Sequence, residues 1–341
     1  MKTNKFIILS IISIALTSCF SENYRIITQV NRDGSCQREI LFKADSIPEQ
    51  FPYDISSGWK IDEKDTIVKK YLSEKTEKNF IISKKFNSVK ELSDGLQHDR
   101  VFPTPKESLE KRFRWFYTCY AFTAVYPETT DKGRVPMDKY LSKARQKFYL
   151  QGDFSDYRGM NGYELKMELD VIETAFMKWY ARSMYEECFD VILHYADNDD
   201  RSQLPAVKDT LYFLHEKKMG EEPRLNEVCT ALDLYFVTDR FSMLYAGNAT
   251  EMDNMFEDRT KIIGILMEFN IRYELMLPGK IMTANTDLQN DGVLAWNVNL
   301  LRFLTDDYTL NAESRTANVW AFAVTLLLIV FSLYCFIRYF R

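Results

Sequence analysis

The residue best placed for chemistry is Cys19. It closes the stretch Leu16-Thr17-Ser18-Cys19, behind a basic start at Lys2 and Lys5 and an apolar run from Phe6 to Leu16. Small residues before a cysteine, this near the N-terminus, form a bacterial lipobox, in which the thiol takes a diacylglyceryl group and the chain is cut just before it. The apolar run is too short to cross a bilayer, as an export signal should be. Residues 1–18 are therefore expected to be a lipoprotein signal peptide, with Cys19 as the acylated first residue of the mature chain.

Little else is spaced for reaction. Of the other cysteines, Cys36, Cys119, Cys188 and Cys229 precede the apolar tail and Cys335 lies in it. Cys188 and Cys229 fall in helical patterns and are a possible disulfide, with buried free thiols as the alternative. No C-x-x-C spacing occurs, so zinc and thioredoxin-like chemistry find no support. The only histidines are His98, His194 and His215. A metal site or a hydrolase of unrecognised type would need His194 and His215 to meet across two helices. The segment Ala196–Arg201 has Ser202 where a calcium loop needs glycine, and Asp287, Gln289 and Asp291 are followed by Val298 where it needs glutamate. Both read as turns. Glu186-Glu187 and Glu221-Glu222 diverge by about 100° within each helical pair and are expected on solvated faces rather than as an acid/base couple. Nucleotide loops and the serine elbow are missing. No catalytic residue, metal or cofactor is expected. Aromatic residues make up 14% of the chain, and Met177, Tyr180, Met184, Tyr185 and Phe189 either fill a core or line a lipid-accepting groove.

The elements that hold these residues begin with a second anchor. Val319 to Ile337 is 19 residues without a charge, enough at 1.5 Å per residue to cross about 30 Å of hydrocarbon. Trp320 and Tyr339 fall at interfacial positions, and Arg338 and Arg341 follow the run, which places residues 338–341 in the cytoplasm. The body, residues 20–315, is then extracytoplasmic at an inner or plasma membrane. It holds 40 basic and 49 acidic residues, −9 in net charge, which argues against nucleic acid as a partner.

Within the body, "NYRIITQV" and "CQREILFK" flank Asp33-Gly34 as a hairpin. Residues 45–105 are polar, with loops at Pro48, Pro52, Pro103 and Pro105 and strand candidates "TIVKKYL" and "NFIISKKF". "KRFRWFYTCYAFTAVYP" is apolar on both faces and predicts a central strand covered on both sides. From 137 to 262 apolar residues recur every three or four positions, Leu169, Ile172 and Phe176 among them, which predicts a helical insert. From Ile263 to Leu277 every odd residue is apolar, which predicts an antiparallel strand. Pro278-Gly279, "KIMTAN", a turn at Asn290-Asp291-Gly292, "VLAWNVNLLRF" and "YTLNAES" follow, and an "RTAN" linker leads to the membrane. The expected fold is α+β: residues 19–136 and 263–315 build one antiparallel sheet from both halves, around a helical insert, with one C-terminal transmembrane helix at 319–337.

Asp33 and Gly34 behind a lipidated cysteine, then Pro278, Gly279, Asn285, Gly292 and Trp296 before a terminal span, resemble LppM-type bacterial lipoprotein domains. The resemblance is confined to the two ends of the body, and the long helical insert departs from it. It implies an envelope lipoprotein that contacts lipids or glycolipids, and it brings no catalytic residues. The expectation is a non-enzymatic binding or scaffolding module for an envelope protein, held in the bilayer through Cys19 acylation and helix 319–337, with lipid or glycolipid binding as the alternative.

Overall fold

The computed structural model describes residues 24–44, 47, 58–70, 73–96, 104–128, 135–219, 223–268, 270–286 and 288–340. The expected signal peptide, Cys19, His98, Glu221, Glu222 and Asp287 lie outside the described residues. The chain forms two compact units. A β unit takes the chain up to Pro127, then Phe269–Leu300 and Asp307–Arg341, and a helical unit takes Glu128–Glu268 and Leu301–Asp306. The architecture is α+β.

In the β unit, β1 (Tyr24–Val30) and β2 (Cys36–Ala44) form the expected hairpin, with Val30 opposite Cys36. The Asn31 N–H donates to Ser35 O at 2.8 Å, and Asp33 Oδ1 accepts from both the backbone N–H and the hydroxyl of Ser35. β3 (Lys60–Lys70) and β4 (Ser73–Phe86) follow, then a short helix α1 (Val89–Asp94) whose first turn is capped by the Ser88 hydroxyl. β5 (Lys106–Phe113) and β6 (Tyr117–Tyr126) form a second hairpin. The chain returns from the helical unit as β7 (Asn270–Met276), β8 (Lys280–Ala284), β9 (Gln289–Asn290), β10 (Val293–Asn299) and β11 (Tyr308–Ala317).

These strands build two sheets rather than one, in the orders β3-β4-β2-β1-β7-β10-β9 and β5-β6-β11-β8. Each joins N- and C-terminal segments, as expected. β7 is antiparallel to β10 but parallel to β1, with Tyr24 opposite Ile271. A parallel neighbour requires a long crossover, and the second hairpin and the Glu128–Glu268 segment of the helical unit lie within it. β6 is central in its sheet, yet it is covered on one side only. Tyr120, Phe122, Ala124 and Tyr126 are buried while Cys119, Ala121 and Val125 are half-exposed. The aromatics before it belong to a tight turn, not to the strand.

In the helical unit, α2 (Lys143–Gln146) runs into a wide turn ending at Gly152. α3 (Gly162–Tyr195) spans 34 residues behind a capping box in which Asn161 and Glu164 satisfy each other's backbone N–H groups. α4 (Asn198–Met219), α5 (Leu225–Phe236) and α6 (Arg240–Glu268) pack on it around Tyr185, Phe189, Leu211, Leu232 and Phe241. The Asp233 carboxylate accepts from the Phe241 and Ser242 N–H groups at 2.9 and 2.8 Å, which fixes the start of α6 from the end of α5. α6 runs through Glu268, so the alternation at 263–268 is helix, and β7 is described from Asn270. No turn residues separate that run from the helix before it, and Leu266, Met267 and Glu268 are strong helix formers.

The β unit's core holds a buried polar cluster. Arg38 on β2 and Glu107 on β5 bring one strand of each sheet into a 2.5 Å ion pair, with both side chains fully buried. The Tyr273 hydroxyl on β7 donates to Glu107 Oε1 at 2.9 Å and lies 3.0 Å from Thr28 Oγ1 on β1. Phe122 on β6 packs its ring 6.4 Å from that of Tyr273. Removing one charge strands the other in low dielectric, at a cost of about 3–5 kcal/mol, whereas replacing both with apolar groups of similar volume is close to neutral. Arg38→Met should therefore lower the urea-unfolding free energy of the detergent-solubilised chain by about that much. Arg38→Met with Glu107→Leu should recover most of the loss, and a double variant as weak as the single one would rule out the ion pair as the cause.

Candidate membrane-contact site

After β11 a single residue, Asn318, leads into α7 (Val319–Tyr339), a helix long and apolar enough to cross a membrane. The expected linker is absent, since Arg315–Ala317 still belong to β11 and pair with β6. Ala321 alone in α7 is buried among its described residues, and Leu326–Phe331 are all at least half exposed. Trp320 and Tyr339 stand 19 residues apart, about 28 Å along the axis.

Asn318 makes the junction rigid. Its backbone N–H donates to Phe116 O at 2.9 Å, and its Nδ2 donates to Arg114 O at 2.8 Å and Trp115 O at 3.2 Å. Its Oδ1 accepts from the Thr118 hydroxyl at 2.9 Å. These groups form the β5–β6 turn, which the Arg114 N–H closes on Tyr117 O at 2.7 Å. The turn's aromatics then lie along the first turns of α7. Trp115 and Trp320 meet edge to face at 5.2 Å, Phe116 and Phe322 at 4.8 Å, and Phe113 stacks near Trp320 at 6.3 Å. Trp115 Nε1 donates to Thr325 Oγ1 at 2.8 Å, and Arg315 lies over the Tyr117 ring at 4.9 Å. None of this was anticipated from the sequence. Its only trace there is two adjacent aromatics, Trp115 and Phe116, between β-rich runs, which resembles a buried strand as much as a turn.

The residues behind the family resemblance sit where the chain changes sheets. Gly34 closes the first hairpin. Gly279 adopts φ +86°, and a Cβ there would stand 2.2 Å from Arg315 O, so both conformation and space demand glycine as β7 hands over to β8. The Ser314 hydroxyl donates to Pro278 O at 2.9 Å. Asn285 Oδ1 accepts from Trp296 Nε1 at 3.0 Å and from the Asn311 N–H at 2.8 Å, while its Nδ2 donates to Thr309 O. Asn285 thus ties β10 of one sheet to β11 of the other. Asp291 and Gly292 form the left-handed pair that closes β9 onto β10. Each of these positions has an architectural role.

The candidates for chemistry disperse. Arg201 Nη2 donates to His194 O, so the C-terminal end of α3 lies beside the start of α4. His215 lies 14 residues beyond Arg201 in sequence, about 20 Å further along α4. Among the described residues no group of three potential ligands converges on one point. The expected turn at Ala196–Arg201 is shorter than that: only Ala196 and Asp197 separate α3 from α4, and Asn198–Arg201 form the first turn of α4, with Asp197 Oδ1 accepting from the Asp200 N–H. Cys188 and Cys229 share the helical core but are unbonded, and the Cys188 thiol donates to Pro223 O at 3.4 Å. Burial raises both thiol pKa values, that of Cys229 to about 12, so neither is a nucleophile. Glu186 and Glu187 are buried rather than solvated. Glu186 takes Arg182 on one oxygen and Lys208 on the other at 2.6 Å, and Glu187 lies 3.7 Å from Arg259. Met184, Tyr185 and Phe189 are buried in the helical unit, whereas Met177 and Tyr180 are half-exposed. A cleft of about 280 Å³ does open beside Trp179, with the buried Gln146 on its wall.

None of the protein-family models, curated proteins or solved structures compared with the chain matches it.

Glu274 on β7 shows how the buried carboxylates are spent. Burial alone would raise its pKa, but Arg25 at 2.9–3.0 Å and Arg272 at 2.8 Å outweigh that and hold it below the ordinary carboxyl value of 4.5. A carboxyl whose folded pKa is depressed stabilises the fold at pH values above its ordinary pKa and loses that contribution as pH falls through the folded value. Thermal melts of the solubilised chain should therefore show a drop in Tm on acidification below about pH 4.5 that is shallower in Glu274→Gln. Equal slopes in the two proteins would remove Glu274 from the account.

Proposed function

We propose that this chain is a non-enzymatic lipoprotein, acylated at Cys19 and spanning the plasma membrane through α7, whose extracytoplasmic body is a binding or scaffolding module for an envelope protein. The observation that carries the reading is the uncovered apolar surface of α7, joined to a sheet through one hydrogen-bonded residue. Beyond Thr325 no part of the described chain covers this apolar helix, and such a surface calls for a lipid environment. The arginines after the span favour a cytoplasmic C-terminus, and the LppM-type resemblance at Pro278–Trp296 favours an envelope setting. The tying of Glu186 and Glu187 into ion pairs favours binding over catalysis.

Two anchors are redundant as a tether, because a spanning helix is already effectively irreversible while acylation adds about 0.8 kcal/mol per buried methylene. What they add is geometry: the mature start and the end of β11 are held to one membrane face. Carbonate washing of membranes from expressing cells tests this. The full chain, Cys19→Ala and a chain ending at Asn318 should all stay in the pellet, and the truncated Cys19→Ala chain should be released. A full-length Cys19→Ala chain that carbonate strips away would overturn the spanning helix.

A further inference from the structure

We propose that the β5–β6 turn, Phe113–Tyr117, is itself a membrane-insertion element that dips into the same leaflet through which α7 enters. The inference rests on the reading of α7 as a spanning helix and adds a second contact of the body with that bilayer.

Depth is the first argument. Trp320 marks the interfacial level of α7, and Thr325 lies five residues deeper, about 7.5 Å along the axis. Trp115 is hydrogen-bonded to Thr325 and rests against Trp320, so a bilayer that covers the start of α7 covers the turn as well. Phe113, Trp115 and Tyr117 remain 59%, 46% and 37% exposed even with α7 packed beside them, an apolar tip that the described residues leave partly uncovered.

Hydrogen bonding is the second argument, and it is independent of the first. A turn in water leaves carbonyls to the solvent, whereas one in lipid must satisfy them internally. Here all four carbonyls from Arg114 to Tyr117 are occupied. Tyr117 O accepts from the Arg114 N–H, Arg114 O from the Tyr117 N–H and Asn318 Nδ2, Trp115 O from Asn318 Nδ2, and Phe116 O from the Asn318 N–H. The Trp115 indole N–H, the one polar group on the tip's largest ring, is also turned inward to Thr325.

Charge is the third. The body carries −9, yet Arg112, Arg114 and Arg315 ring the tip, exposed, with stems long enough to reach lipid phosphates while the aromatics lie deeper. Glu110 answers only Arg112, at 3.0 Å.

The full chain reconstituted in phosphatidylcholine bilayers, with and without lipids brominated near the top of their acyl chains, tests the inference through tryptophan quenching. The bromine-quenched part of the emission should fall in Trp115→Phe and also in Trp320→Phe, with circular dichroism unchanged. A fall in Trp320→Phe alone would overturn the inserted turn and leave the spanning helix standing. No fall in either would overturn both. Should Trp115→Phe misfold, a bromine-dependent loss of emission from Phe116→Trp, above that of the parent, makes the same test, and no added loss would count against insertion.

Discussion

The Arg38–Glu107 pair and the Tyr273 and Thr28 hydroxyls around it join four strands, β1, β2, β5 and β7, drawn from both ends of the chain and from both sheets. A fully buried charge is tolerated only if its partner arrives; Glu107 is that partner for Arg38, and the Tyr273 hydroxyl that donates to Glu107 follows the long helical segment in sequence. The β unit therefore cannot be completed by its N-terminal half alone. The parallel pairing of β1 with β7 states the same constraint in backbone terms, since that neighbour exists only once the crossover has closed. The large apolar side chains around the cluster, Phe122 and Trp296 among them, supply the greater share of burial energy, at about 1.5–3 kcal/mol each. The ionic cluster fixes which strands meet.

From that core a continuous path leads to the membrane. β6 carries Phe122 against Tyr273 at one end and the aromatic turn at the other, and β11 pairs with β6 along its length before Asn318 converts strand to helix. With no linker between sheet and helix, a change in the tilt of α7 is transmitted to the β unit through hydrogen bonds, not through a flexible tether. In the proposed membrane-face module, this junction would restrict the orientations of the β unit far more than two independent anchors would.

How much of this was legible depended on the range of the interaction. The β1–β2 hairpin, the turn at Asp291-Gly292 and α7 are encoded in contiguous residues and could be read directly, since local turn chemistry and an uncharged apolar run need no partner. The α+β class followed from the change of period along the chain. What was misread turned on distant contacts. The alternation at 263–268 belongs to a helix because α6 propagates into it, and Glu186 and Glu187 are buried because Arg182, Lys208 and Arg259 come to them. The aromatic turn resembled a buried strand because lipid and protein interior select the same side chains. Asn318, which organises the junction, carries no sequence signal: its four hydrogen bonds reach back some 200 residues.

The central claim is that the body and the C-terminus lie on opposite sides of one membrane. Intact cells expressing Arg341→Cys or Asn226→Cys, each in a Cys119→Ser/Cys335→Ser background that removes the half-exposed thiol of the body, treated with a membrane-impermeant maleimide, test it most directly. The account predicts that Asn226→Cys is labelled in intact cells once the outer envelope is permeabilised, and that Arg341→Cys is labelled only after the inner membrane is broken. Labelling of both positions before lysis, or of Arg341→Cys alone, would contradict it.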